Sequence, residues 1–513
     1  MDPVVEVTGG RVRGRDVDGV AAFLGIPYAE PPLGERRLRR AVAHRGWSGE
    51  REAVSFGSRA VQPESMLAPK SETEDEDCLV LNVWTPAIDD QPRPVMVWIH
   101  GGSFTTGSAA LSWYDGRRLA QRGVVVVTVN YRLGPLGFLH LEAIGGADWQ
   151  GSANCGLTDQ AMALEWVRDN IAAFGGDPAN VTLFGESAGA MSVSAHLAMP
   201  ASKGLFRRVI AQSGATGHVQ ASEQAAVTAE VVLERLGVGA HQLERLADVA
   251  VDDFRRAVAT AEDRLKRAAL PLPFQPTIDG STLPTAPLAA LASGVARDVE
   301  LLSGTTADEM RLWQLMAALS GTTSTLDEER LLRRIGRVVE SSVVESGASA
   351  PEPIEVLAAY REVHPDLGPS DLWLAIATDL TFRLPAIRML EAHHGGGGSG
   401  WLYLFTHPST AFEGALGAAH SLEIPFVFDN LDKGGVELMV GSIDDGRRHL
   451  ASAMADAWTG FARGEGLAVS GVGDWPQYEP GRRQTMVLDV DGAVVDDPQA
   501  ATRRIWGSTD PQA

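Results

Sequence analysis

The stretch FGESAGA, Phe184 to Ala190, sets one serine between two glycines directly after an apolar run. A serine hydroxyl becomes a nucleophile only where a base takes its proton and donors receive the charge that develops on the attacked carbonyl. Gly185-Glu186-Ser187-Ala188-Gly189 is a G-x-S-x-G pattern between an apolar, strand-like run (180–185) and a small-residue, helix-like run (187–199). That is the setting of a nucleophile elbow, in which a strained turn lifts the hydroxyl clear of the sheet edge. Gly185 and Gly189, with Ala188 and Ala190 beside them, let strand and helix nearly touch. The amide of Ala188 would lie at a helix N-terminus, where partial positive charge collects. A short G-x-S-x-G match also arises by chance as a glycine-rich turn, so the context carries the reading.

A second loop lies upstream. IHGGSF (99–104) follows the apolar run 94–100, and the amides of Gly101 and Gly102 could point inward with that of Ala188 to hold an oxyanion. Alone it would be a simple Gly-Gly turn; two such loops, each after a strong strand, point to acyl transfer. His100 precedes the serine, whereas the elbow architecture runs serine, acid, histidine; we read it as support for the glycine loop. DVELLSGTTADEM (298–310) places Asp308 and Glu309 just past a strand, and sequence physics does not choose between adjacent carboxylates. His364, His393, His394, His407, His420 and His449 compete for the base. His420, in GALGAAHSLEIPFVF, has small residues before it and an apolar run after it, which suits a loop feeding a site. A lone histidine is by default a surface or core residue.

The elements that must position these residues are legible in outline. Val4 to Val7, Arg11 to Arg15 and Ala21 to Ile26, separated by Gly9-Gly10 and Asp18-Gly19, read as an antiparallel meander. The valine-rich runs 79–84, 94–100 and 123–130 read as buried central strands. A helix with apolar residues at 157, 161, 164, 167 and 171 stops at Gly175-Gly176. Further strands are read at 206–214, 298–304, 401–405 and 484–490, with a long amphipathic helix at 447–464. Strands alternating with helices imply a parallel sheet covered on both faces. Residues 221–270 and 308–394 are mostly helical. HHGGGGSG (393–400) reads as a loop rather than a domain linker, because the residues needed for chemistry lie on both sides of it.

Composition removes several classes. At 513 residues, length alone allows about three domains, but large α/β enzymes carry one sheet through many strands. Apolar content of 44% and charged content of 21% are those of a globular chain with a large core. With 44 Lys and Arg against 66 Asp and Glu, the net charge of −22 speaks against nucleic acid and anionic membranes as partners. MDPVVEVTGG has no basic n-region or long apolar h-region, so no secretory signal is expected. No apolar stretch is long enough to span a bilayer. Cys78 and Cys155 cannot build a disulfide framework or, by themselves, a four-thiolate metal site. A cytoplasmic enzyme with free thiols, needing no metal or organic cofactor, is expected.

At this point the chain resembles the type B carboxylesterases, the α/β-hydrolase family that includes bacterial para-nitrobenzyl esterases and the cholinesterases. GIPYAEPPLGERRL (25–38), EDCLVLNVW (76–84), WIHGGSF (98–104), NYRLGPLGFL (130–139), FGGDPANVTLFGESAGA (174–190), QSGA (212–215), GTTADEM (304–310) and HSLEIPFVF (420–428) fall in family order over nearly the whole chain. The resemblance implies Ser187 as nucleophile, Glu309 rather than Asp308 as acid and His420 as base. Gly101, Gly102 and Ala188 become the oxyanion donors. It also implies an α/β-hydrolase fold in one domain, 1–513: a large mixed, mostly parallel sheet flanked by helices. The helical insertions 221–270 and 308–394 would contribute to lid and pocket. The stretch aligned with the family's first disulfide cysteine, SRAVQP (58–63), has none, which leaves Cys78 a free thiol. Segment 64–77 has no tryptophan, which argues against a cholinesterase.

The expected activity is hydrolysis of hydrophobic or aromatic carboxylic esters through an acyl-enzyme on Ser187. The alternative is a carbamate or aryl-amide hydrolase using the same residues. A non-catalytic adhesion relative is disfavoured by retention of all three positions. Phe104, Leu272, Phe274, Leu312, Trp313 and Met316 are candidate pocket residues, each weighed against ordinary core packing. A small-molecule ester is the expected partner, and the chain is expected to be a monomer or weak homo-oligomer.

Overall fold

The computed structural model describes residues 2–64, 73–266, 272–322, 325–346 and 351–507. Residues 65–72 of the tryptophan-free segment lie outside the described residues. So do 267–270 of the first helical insertion and 323–324 and 347–350 of the second.

The N-terminal residues form β1 (Val4–Val7), β2 (Gly10–Arg13), β3 (Arg15–Val17) and β4 (Val20–Pro27). The expected single meander is divided. Gly14 breaks the run from Arg11 to Arg15; a Cβ there would meet Ala22 O at 2.5 Å, so the chain crosses β4 closely at this point. β1 and β2 pair with β5 (Glu50–Glu52) in a small sheet, while β3 and β4 join the main one.

The main sheet continues through β6 (Val80–Thr85), β7 (Arg93–Ile99), β8 (Val125–Val129), β9 (Gly176–Glu186) and β10 (Arg208–Gln212). A two-residue pair, β11 (Gln220–Ala221) and β12 (Thr277–Ile278), stands apart, as does the later pair β15 (Ala468–Val469) and β16 (Gly473–Asp474). β13 (Glu300–Thr306), β14 (Gly400–Phe405), β17 (Gln484–Leu488) and β18 (Ala493–Asp496) complete eleven strands, in the order β18-β17-β14-β13-β10-β9-β7-β8-β6-β4-β3. The block from β17 to β8 is parallel. Antiparallel strands close both ends. This is the α/β-hydrolase fold, a large mixed sheet flanked by helices. β6, β8, β10 and β14 are buried at every position, which explains why they read as unbroken apolar runs instead of alternating ones. Helices cover both faces: Cys155–Asn170 and Ala188–His196 belong to one hydrophobic cluster, Asp445–Arg463 to the cluster on the other side.

The expected helix 157–176 ends at Asn170 and tightens into a 3₁₀ turn over Ile171–Phe174. His393, His394 and Gly395 belong to the helix Leu384–Gly395, so the expected loop begins three residues later, at Gly396. β18 was not read from the sequence, because all four of its side chains are exposed and carry no burial signal.

Topology decides where chemistry can collect. β7 lies between β8 and β9, so the chain reverses its direction of travel across the sheet there, and loops leaving the C-terminal ends of β7 and β9 diverge. Ile99 pairs with Gly185 in parallel register, which brings His100-Gly101-Gly102 and Ser187 off neighbouring strands at one level. β10 and β13 follow in order, and β13 ends three residues before Glu309. The segment after β14 returns to the same edge with His420.

Candidate active site

Ser187 stands at the turn between β9 and the helix Ala188–His196, with φ 55° and ψ −124°. This left-handed φ is strained for a residue with a Cβ. It is held by a hydrogen bond from Ser187 N to Gln212 O (2.9 Å) and one from Met191 N back to Ser187 O (2.9 Å). The flanking glycines are sterically required. A Cβ on Gly189 would lie 2.0 Å from Ile99 O, and one on Gly185 would lie 2.7 Å from both Ile99 O and Gly189 C.

Gly101 is pressed against the serine: a Cβ there would meet Ser187 Cβ at 3.0 Å and Glu186 O at 2.8 Å. Gly102 adopts φ 115°, and its carbonyl accepts from the amides of Thr105 (3.0 Å) and Thr106 (2.9 Å). These bonds curl the loop immediately after Gly102. Among the described residues the amides of Gly101, Gly102 and Ala188 donate to no protein acceptor. His100 braces the loop. Its Nδ1 lies 2.8 Å from Gly101 O, and its ring stacks on Tyr131 at 4.5 Å. Burial lowers its imidazole to about 4, so it stays neutral.

Glu309 is fully buried. Its Oε1 accepts from Thr306 N (2.9 Å) and its Oε2 accepts from His420 Nδ1 at 2.5 Å. Asp308 points elsewhere, to Arg311 Nε (3.2 Å) and Ala418 N (2.9 Å). The structure thus separates the two carboxylates that sequence physics left equal. His420 Nε2 lies 3.1 Å from Glu186 Oε1, and Ser421 Oγ donates to that same oxygen at 2.6 Å. Of the other histidines, His407 also meets a carboxylate, Asp489 at 2.6 Å, but its Nε2 is taken by Arg447 Nε (3.0 Å), leaving no nitrogen to serve as a base. His393 is tied to Val299 O, and His394 and His449 are exposed.

Three buried carboxylates, Glu186, Glu309 and Glu423, surround the buried imidazole of His420. Burial alone would lower His420, but Glu186 and Glu309, the hydrogen bond to Glu309, and Glu423 together raise it to about 9. Glu423 is pushed up to about 8, first by burial and then by the charges of Glu186 and Glu309. It is held by Gln212 Nε2 (3.1 Å), whose Oε1 accepts from Trp458 Nε1 (3.0 Å). The carboxylates stabilise the imidazolium, the state a base reaches on taking a proton, and the neutral imidazole that can take one becomes more populated as pH rises toward about 9.

Ser187, His420, Gly101 and Gly102 line one cavity of about 250 Å³. Leu312, Trp313 and Met316 line it as well. Phe104, Leu272 and Phe274 do not. Phe104 and Phe274 are fully buried, Phe104 edge-on to Phe138 at 5.0 Å, and Leu272 packs on the same core. For these three the ordinary packing alternative describes their placement. The sequence reading missed Trp113, Tyr114, Met439, Glu186 and Glu262 as lining residues. Glu186 could have been flagged as a carboxylate ending an apolar strand; the others come from segments with no distinguishing pattern. Both cysteines are buried and free. Among the described residues no group of three or more His, Cys, Asp and Glu could hold a metal ion, and no helix is long and apolar enough to cross a membrane.

Comparison with known proteins shows the family. The model of the Carboxylesterase family matches residues 1–506. The chain is 39% identical over 509 residues to para-nitrobenzyl esterase of Bacillus subtilis (strain 168), covering 98% of each chain. It is 34% identical to phenmedipham hydrolase of Pseudarthrobacter oxydans, over 96% of each. Its fold superimposes on the crystal structure of a Geobacillus stearothermophilus carboxylesterase with a TM-score of 0.87 and 38% identity, covering 98% of this chain and 99% of that one.

Proposed function

The chain belongs to the carboxylesterase family and is a serine carboxylic ester hydrolase, and we propose that Ser187, His420 and Glu309 are its nucleophile, base and acid. The observation that carries this assignment is the 2.5 Å bond from His420 Nδ1 to buried Glu309, at the wall of the cavity that Ser187 also lines. His420 takes the proton of Ser187 as its oxygen attacks the ester carbonyl. Glu309 fixes the tautomer with Nδ1 protonated and stabilises the imidazolium without itself accepting the proton. The oxyanion is received by the amides of Gly101, Gly102 and Ala188; one such donor is worth ~10²–10³ in rate. The imidazolium protonates the departing alcohol, and water then hydrolyses the acyl-enzyme by the same route.

The substrate reading is a hydrophobic or aromatic ester of the para-nitrobenzyl or para-nitrophenyl type. It rests on a cavity walled by Leu111, Trp113, Tyr114, Leu312, Trp313 and Met316. The insertions 221–270 and 308–394 serve as lid and pocket wall within one 1–513 domain. In support, Glu262 of the helix Val251–Lys266 and three residues of the helix Arg311–Leu319 reach the cavity. Similarity to a phenmedipham hydrolase motivates a second reading, cleavage of a carbamate or aryl amide at the same serine; matched ester, carbamate and anilide substrates decide between them. Two buried free thiols accord with a cytoplasmic location. Ser187→Ala should lower turnover of para-nitrophenyl esters by on the order of 10⁶. A fluorophosphonate should label Ser187, located by mass spectrometry. Equal activity in the two proteins overturns the assignment.

A further inference from the structure

The helical run from Pro369 to Gly395 is not uniformly α-helical. Between Pro369–Thr378 and Leu384–Gly395 lies one π-helical turn, Asp379–Arg383, where Leu384 N bonds to Asp379 O across five residues. A π turn inserts one residue into a helix and rotates everything after it, at a cost in helix stability, and such turns concentrate at functional sites. This one is heavily secured. Arg383 binds Asp379 through two bonds (Nε to Oδ1, 2.6 Å; Nη2 to Oδ2, 2.7 Å), both side chains being buried. Tyr360 OH donates to Asp379 Oδ2 (2.7 Å) and itself accepts from Trp506 Nε1 (3.0 Å). Arg383 Nη2 also reaches Thr502 Oγ1 (2.7 Å).

Two contacts leave this turn toward the site. Thr378 Oγ1 accepts from Met310 N (3.2 Å), the residue after Glu309. Phe382, 3% exposed, places its ring 4.8 Å from that of His420. Trp313 also lies 4.8 Å from His420 and stacks on Phe382 at 5.8 Å, but it is 37% exposed. Phe382 is therefore the fixed member of the pair. It is not among the residues lining the cavity, and its ring also stacks on that of His218 at 6.2 Å.

We infer that the π turn Asp379–Arg383 is built to hold Phe382 against His420, and that Phe382 is a positioning residue for the proposed base. Glu309 at Nδ1 and Glu186 at Nε2 hold the imidazole by its edge, and neither packs against its face. Phe382 closes one face to swinging and excludes water from it. The inference rests on His420 being the base, as proposed above.

The test uses the full-length enzyme with Phe382→Ala and Phe382→Leu, assayed on para-nitrophenyl acetate, butyrate and octanoate. A small misplacement of a reacting group can cost ~10²-fold. Phe382→Ala should lower kcat by about 10- to 100-fold, equally for the three acyl chains, with KM within about threefold; Phe382→Leu should recover most of kcat. Fluorophosphonate labelling of Ser187 should go to full stoichiometry but at a rate reduced in parallel, which also shows that the variant is folded. A loss that depends on acyl length would make Phe382 a substrate contact and overturn the inference. So would unchanged kcat with only a lowered thermal midpoint. Failure of wild type itself to label at Ser187 would instead overturn the reading on which the inference rests.

Discussion

Replacing Glu309 by glutamine removes a charge while keeping shape, and the structure dictates what the amide must do. The Oε1 position faces Thr306 N at 2.9 Å and the Oε2 position faces His420 Nδ1 at 2.5 Å, in a fully buried site. If the amide oxygen takes the Thr306 bond, its NH₂ points at Nδ1. The imidazole must then accept there and carry its proton on Nε2, where it can no longer take one from Ser187. The opposite orientation sets NH₂ against Thr306 N–H and leaves buried donors unsatisfied, at about 1–3 kcal/mol. The wrong tautomer is thus favoured by about 5- to 150-fold on that term alone. Loss of the corresponding carboxylate in serine hydrolases costs ~10⁴ in kcat, and Glu309→Gln should show a loss of that order. Asp308→Asn is the matched control. Its side chain is 39% exposed, its ion pair with Arg311 contributes at most about 1 kcal/mol, and an asparagine oxygen can still accept from Ala418 N. Its activity should stay within about tenfold of wild type. Steady-state hydrolysis of para-nitrophenyl acetate, with thermal melts to show equal folding, is the assay. Glu309→Gln within tenfold of wild type, or Asp308→Asn as the more damaging change, would refute the reasoning.

Three other outcomes follow from the geometry. Gly189→Ala should destabilise by at least about 1–3 kcal/mol and abolish esterase activity, because its Cβ would stand 2.0 Å from Ile99 O; Gly481→Ala, which meets nothing within 4 Å, should melt like wild type. Asp159→Ala strands buried Arg132, whose Nη2 is 2.6 Å from the carboxylate, and should cost about 3–5 kcal/mol in denaturant unfolding. His196 is lowered by burial from 6.5 to about 3, so it stays neutral when folded while the unfolded imidazole takes a proton below about 6.5. Its contribution is present above that pH and is lost as pH falls toward 3, by up to about 1.4 kcal/mol per unit. Urea midpoints between pH 7.5 and 5 should therefore fall more steeply for wild type than for His196→Asn, and equal slopes would count against it.

Much of the site was legible because its requirements are local. Ser187 was readable because an elbow needs tiny neighbours, and Gly185 and Gly189 meet Ile99 O so closely that no Cβ fits. Gly101 and Gly102 were readable because a glycine pair follows a buried apolar strand. Fully buried strands such as β8 announce themselves as valine runs; exposed β18 does not. Phe104 and Phe274 misled, because a large apolar side chain beside a site has the same composition whether it faces the cavity or the core.

The sequence by itself determined the kinds of group available and their order along the chain: a strained serine, a pair of glycine amides, a later carboxylate and a later histidine. From local physics it left Asp308 and Glu309 equivalent and six histidines in competition. Tertiary structure brings one such pair together, because a hydrogen bond between residues 111 apart depends on strand order and not on neighbours in sequence. The parallel run β7-β9-β10-β13-β14 brings five strand ends to one edge, where Glu309 and not Asp308 meets His420 at bonding distance. The same assembly supplied what the sequence reading did not assign: Glu186 and Glu423 around the imidazole, and a π turn that sets Phe382 beside it.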